Sequence, residues 1–201
     1  MKDEANLDTL DQRIARRVRE LRAAQGLTLE QLSARSGVSR SMISVVERGE
    51  SSPTAALLDK LAAGLGATLN AFFDAPRDGT SPSPVARHDE QAEWQDPDSG
   101  YVRRALSPPG IDTPLQLVEV HFPAGAHVSY EAGAQRAGVH QQVWVMAGSL
   151  AVTVGTERHK LGPGDCLAHR LDQPVSFRNT SRQPAHYLVA LCSASTPRSF
   201  A

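Results

Sequence analysis

Residues 27–49 read LTLEQLSARSGVSRSMISVVERG, and this stretch decides the fold of the first part of the chain. Thr28 with Gln31 three residues later has the pattern of a capping box at a helix start. Leu29 and Leu32 then point to one side. Gly37 supplies the positive φ on which such a helix ends. Ser39 caps a following helix in which Ile43 and Val46 face inward, and Gly49 stops it. Two short helices around a glycine turn, the second opening on small polar residues and an arginine, form a unit that a DNA major groove accepts.

Working outward, residues 9–25 read as a helix with Ile14, Val18 and Leu21 on its buried stripe and Gly26 just past its end. Thr54 caps a fourth helix carrying Leu57, Leu58, Leu61 and Leu65, closed by Gly66. A short fifth helix from residue 68 buries Phe72 and Phe73.

The segment resembles the helix-turn-helix of the Cro/C1 (XRE) family of bacterial and phage regulators. The matching signs are LTLEQL at 27–32, GVS at 37–39, Ile43–Ser44, ERG at 47–49 and SPT at 52–54. The resemblance implies a five-helix, lambda-repressor-like domain that binds double-stranded DNA. It places Arg40 and Ser41 at the base edges, with Ser44 and Val45 one turn on. Ser39, Arg48, Ser51 and Thr28 then contact phosphates, and Gln31 belongs to the same DNA-facing set. It also implies a largely buried ion pair between Arg22 and Glu47.

Composition bounds the rest. A chain of 201 residues has room for two small domains. Twenty-one Lys and Arg against 22 Asp and Glu give a net charge of −1, so charge complementary to DNA must be local. Arg13, Arg16, Arg17, Arg19 and Arg22 crowd the first helix, and Arg35, Arg40 and Arg48 follow. No apolar run reaches transmembrane length, and the acidic, polar start does not read as a signal peptide. Cys166 and Cys192 are too few for a disulfide framework. The cytoplasm is the expected compartment, with no membrane partner.

The composition changes near residue 75. Residues 1–75 form the helical DNA-binding domain, 76–84 a Pro-, Gly- and Ser-containing linker, and 85–201 a second domain. There the apolar period becomes two. Strands are predicted at 101–106, 115–122, 142–146, 150–154, 158–161, 166–169, 175–178 and 187–191, separated by Gly and Pro turns. Short strands at regular spacing argue for an antiparallel sandwich or barrel.

The turns VMAGSL at 145–150 and LGPGD at 161–165, with FRN at 177–179, resemble the cupin family of double-stranded β-helices, or jelly rolls. Many cupins hold a metal with histidines and a glutamate. The resemblance puts Gln135, Ala137, Gln141 and Val175 at those positions, and an alanine, a valine and neutral amides are poor ligands. Hence no metal, no other cofactor and no catalytic residue is expected. No serine elbow, phosphate loop or carboxylate pair stands out either. A cavity without metal can still hold an organic effector. Its expected contacts are Gln141 above all, then Tyr130, His140, Val143 and Val175.

An XRE domain followed by a cupin is a known regulator arrangement. The expectation is therefore a sequence-specific transcriptional regulator, acting as a homodimer on a two-fold operator and answering to an unidentified small molecule. The alternative is a metal-dependent cupin enzyme of the epoxidase or oxygenase kind, since some phosphonate epoxidases join a similar helical domain to a cupin. A third reading makes the cupin a dimerisation module only.

Overall fold

Local signals place the helix ends. In this computed structural model, which describes residues 10–73, 82–111, 113–131 and 138–193, the helices are α1 (Leu10–Ala24), α2 (Leu29–Ser36), α3 (Arg40–Glu47) and α4 (Ala55–Gly64). Thr28 and Gln31 make the reciprocal capping box, with Gln31 N–H donating to Thr28 Oγ1 at 3.1 Å and Thr28 N–H donating to Gln31 Oε1 at 2.9 Å. Gly37 adopts φ 68° and closes α2 by donating to the carbonyl of Ser33. Ser39 and Thr54 cap α3 and α4 through their hydroxyls. Ile14, Val18, Leu32, Ile43, Val46, Leu58 and Leu61 form the centre of the bundle.

The short fifth helix is present and differs in kind from the other four. The fifth helix is a single 3-10 turn, Leu69–Phe72, rather than an α-helix. Thr68 makes no side-chain cap there, and Phe73 N–H closes the turn on the carbonyl of Asn70. Four residues give one turn, enough to bury Asn70 and Phe72 but too short for an α-helical ladder.

The rest of the chain is an antiparallel sandwich of jelly-roll type. Its strands are β1 (Glu93–Gln95), β2 (Val102–Ala105), β3 (Leu115–Phe122), β4 (His127–Tyr130), β5 (Val139–Ala147), β6 (Leu150–Val154), β7 (Glu157–Leu161), β8 (Cys166–Arg170), β9 (Val175–Arg178) and β10 (Ala185–Ser193). One sheet runs β1-β2-β3-β10-β5-β8 and the other β4-β9-β6-β7. β1 and β4, at three and four residues, were not expected from the sequence. The other strands fall where the alternation put them, within two or three residues at their ends.

Two turns anchor the sandwich. Asp165 Oδ2 accepts from Gly162 N–H at 2.8 Å in the turn before β8. Asn179, fully buried after β9, donates to the carbonyls of Phe122 and Gln183 and accepts from Ser181.

The two parts share one buried apolar cluster. Phe73 packs its ring 5.7 Å from that of Trp94 on β1. The buried Asp96, in the β1–β2 turn, accepts from the N–H of Ala55 at 2.8 Å and so caps the start of α4 from across the junction. Lys60 on α4 pairs with Glu131 at 3.1 Å. Most of the expected linker, residues 76–81, lies outside the described residues.

Candidate nucleic-acid interface and interior cavity

The helical part presents one exposed row. Ser39, Arg40, Ser41 and Met42 open α3 on the solvent side, while Ile43, Val46 and Glu47 are buried beneath them. Ser44 and Val45 are half-buried one turn on. Thr28 and Gln31 are exposed at the start of α2, and Ser51 is half-buried beyond the end of α3. The capping duties of Thr28 and Ser39 fix the first turns of both helices.

Arg48 differs from its expected role in one respect. Its guanidinium is already held by Glu50, Nε to Oε1 and Nη2 to Oε2, both at 2.6 Å, and also donates to Ser44. The same hydrogen bonds lower the pKa of the Glu50 carboxyl from its usual range. A phosphate reaching Arg48 must therefore compete with a carboxylate that stays ionised.

Behind this face the expected ion pair is present. Arg22 Nε and Nη2 donate to the two oxygens of Glu47 at 2.6 and 2.8 Å, with both side chains mostly buried. The Glu47 hydrogen bond raises the pKa of the Arg22 guanidinium, against the opposing effect of burial. Arg19 adds a hydrogen bond to the Glu47 carbonyl. The pair ties α1 to the C-terminal end of α3 and sets the pose of the presented helix.

The second site lies inside the sandwich. Val118, Val120 and Phe122 on β3, Tyr187 and Leu191 on β10, Gln141 on β5, Val128 and Tyr130 on β4, and Val175 and Phe177 on β9 surround a cavity of about 100 Å³. Thr68, Leu69, Asn70 and Asp59 close one side, so the helical part forms its roof. Gln141, Tyr130 and Val175 thus line it. Val143 is fully buried on the same inward face but belongs to the packed core. His140 is exposed on the opposite face of β5. Side chains alternate along a strand, so adjacent His140 and Gln141 cannot share a face. Gln135 and Ala137 lie outside the described residues.

Sequence reasoning missed the most polar group of this cavity. Arg103 points inward from β2 and is 6% exposed. Its Nη2 donates to Asn70 Oδ1. Its guanidinium carbon lies 4.5 Å from the centre of the Phe73 ring. Burial pulls its pKa below the ordinary arginine value, offset in part by the tyrosines facing it. Tyr101 and Tyr130 share a hydrogen bond, hydroxyl to hydroxyl, at 3.0 Å. Burial pushes the pKa values of Tyr130 and Tyr187 well up, so these hydroxyls stay protonated and can donate.

A separate polar group sits on the outer face of the larger sheet. His186 Nε2 lies 2.8 Å from Glu119 Oε1, and the His121 ring stacks on the His186 ring at 4.2 Å. The three could hold a cation together, but Arg104 also reaches Glu119, at 3.9 Å. None of the three lines the cavity.

Comparison with known proteins follows this division. Residues 18–72 match the helix-turn-helix family HTH_3. Over 181 residues the chain is 29% identical to the HTH-type transcriptional regulator SutR of Escherichia coli (strain K12), covering 90% of this chain and 95% of SutR. It is 25% identical over 185 residues to the HTH-type transcriptional regulator PuuR of the same strain, covering 92% and 95%. Among solved structures it is similar to an HTH_3 family transcriptional regulator from Vibrio cholerae, with a TM-score of 0.74, 28% identity and coverage of 92% of this chain and 98% of that one.

Proposed function

We propose that this chain, similar over residues 18–72 to the HTH_3 family and over most of its length to HTH-type regulators, is an XRE-type DNA-binding transcriptional regulator with a C-terminal cupin domain. It acts as a homodimer on a two-fold operator in the cytoplasm, and a small organic molecule in the cupin cavity controls it. The relatives, named as regulators, support a role without catalysis.

The observation that carries the proposal is the exposed start of α3 on a rigid support. Arg40 and Ser41 stand free of the core while Ile43 and Val46 anchor the helix from below and the Arg22–Glu47 pair fixes its far end. An arginine there can take the O6 and N7 of a guanine through two hydrogen bonds. Thr28, Gln31, Ser39, Arg48 and Ser51 surround it with groups suited to phosphates, which set register without reading sequence.

One recognition helix reads too few base pairs for useful specificity, which favours a pair of heads. The outer face of the larger sheet suits a second copy. Leu115, Leu117 and Trp144 are exposed there, with Leu188 between Trp144 and Glu119 in the register of β10. A contiguous apolar patch on a sheet face is the kind of surface that homodimers cover.

Substitution of Arg40 by alanine tests the reading. The variant should lose about 1–3 kcal/mol of operator affinity and relax sequence preference at the contacted base pair. Unchanged affinity and footprint would remove Arg40, and the start of α3, from the interface.

A further inference from the structure

A buried guanidinium is costly unless its N–H groups are satisfied and its charge is balanced. Arg103 meets this condition only in part. Nη2 has Asn70 and the guanidinium face has the Phe73 ring, both from the helical part. Nη1 is buried with no hydrogen-bond partner among the described residues. Arg103 lines the cavity together with Gln141 and the hydroxyl-bearing Tyr101, Tyr130 and Tyr187.

The remaining wall decides what kind of anion fits. It is mainly Val118, Val120, Phe122, Val128 and Phe177, which favours an apolar body. The acidic groups on the wall are Asp59 and Glu131, the latter held by Lys60. Arg103 is the one cationic group among the described lining residues, and the mainly apolar wall offers no partner to a second negative charge. A dry cavity of about 150 Å³ takes a benzene molecule, so one of about 100 Å³ suits a ligand of roughly four to six heavy atoms.

Resting on the reading of the chain as an effector-controlled regulator, we infer that the cavity binds a short-chain organic monocarboxylate, with its carboxylate on Arg103 and its alkyl chain against β3 and β9. Charge-assisted, two-pronged hydrogen bonding is what a guanidinium offers a carboxylate. A second N–H beside Nη1 would have to join for that geometry. Where that second N–H is the one of Nη2 now given to Asn70, the ligand competes with Asn70 for the guanidinium. Asn70 also donates to Gln116 Oε1 at 3.1 Å, so its release loosens two of the bonds joining the helical part to the sandwich. This gives the ligand different affinities for two arrangements of the DNA-binding heads, which coupling requires.

The test uses the full chain and a panel of acetate to hexanoate, with butyramide and butylamine as neutral and cationic counterparts of butyrate. Calorimetric titration and the melting temperature are both read. Butyrate or a neighbour in the series should bind saturably and raise the melting temperature with concentration. Butyramide should bind at least about tenfold more weakly. Arg103→Met should abolish the carboxylate response, and Arg103→Lys should weaken it, each variant being scored only if its circular dichroism and cooperative melting show it folded. Should both variants fail to fold, the carboxylate-against-amide ratio on the parent chain still decides. No response to any carboxylate, equal binding of the amide, or preference for the amine overturns the inference. DNA binding by the ligand-free protein is measured separately. Its failure sinks the regulator reading and not the pocket chemistry, while a silent pocket with intact DNA binding sinks only the latter.

Discussion

Arg22 directs Nε and Nη2 at the two oxygens of Glu47 and Nη1 at the carbonyl of Leu27. Removing either charge leaves the other buried without its partner, which costs about 3–5 kcal/mol. Arg22→Met and Glu47→Gln should each lower stability by that order in denaturant melts, and values near those of surface substitutions would show that the pair is dispensable. Arg48 is the opposite case. Its exposed pair with Glu50 gives little stability, since solvent screens it. Its consequence is for binding. Glu50→Gln should free Arg48 and tighten binding to all DNA sequences alike, with a salt dependence steeper by up to about one ion. A change confined to one sequence would mean that Glu50 reads bases. Residue-scale legibility in the sequence was uneven. Thr28, Ser39 and Gly37 declare themselves because capping and positive φ are local demands. Arg103 does not. It sits beside Arg104 in VRRA, and only the pleat register, set by β3 across the sheet, sends one inward and the other out.

At the scale of elements, the helical boundaries could be read because each carries its own start or stop signal within a few residues. The turn at Leu69–Phe72 lacks a side-chain cap at Thr68 and closes through Phe73 N–H on the carbonyl of Asn70, with Asn70 and Phe72 buried. β1 and β4 could not be read, since each carries a single buried residue and so shows no alternation, whereas the equally short β9 carries two. Their existence depends on partners β2 and β9, distant from local pattern. The contact of α2 with α4 offers a test. A Cβ on Gly64 would lie 2.8 Å from Ser36 Cβ and 3.1 Å from Leu32 Cδ1. Alanine gains up to about 1 kcal/mol in helix propensity over glycine. Overpacking against backbone-proximal atoms costs about 1–3 kcal/mol. Gly64→Ala should therefore lower the melting temperature. An unchanged or higher value would mean that α2 and α4 separate at no cost.

At the scale of the whole molecule, the sequence separates a helical head from a β-rich body, while the structure joins them through Phe73–Trp94, Ala55–Asp96 and Arg103–Asn70. These contacts pair residues more than twenty positions apart, and no local pattern announces them. They make the cavity's roof a part of the helical head, which is the route by which the proposed ligand acts on the placement of that head. Among the described residues no helix is long and apolar enough to cross a membrane, and the exposed face of α3 remains the feature from which everything else follows. The most direct measurement is capture of fragmented genomic DNA by the purified full chain, followed by sequencing. The account predicts enrichment of one inverted repeat whose half-sites lie about one helical turn, or roughly 10 base pairs, apart, and loss of that enrichment with Arg40→Ala. Recovery of fragments with no shared sequence, or of the same repeat by the Arg40→Ala variant at equal yield, would contradict it.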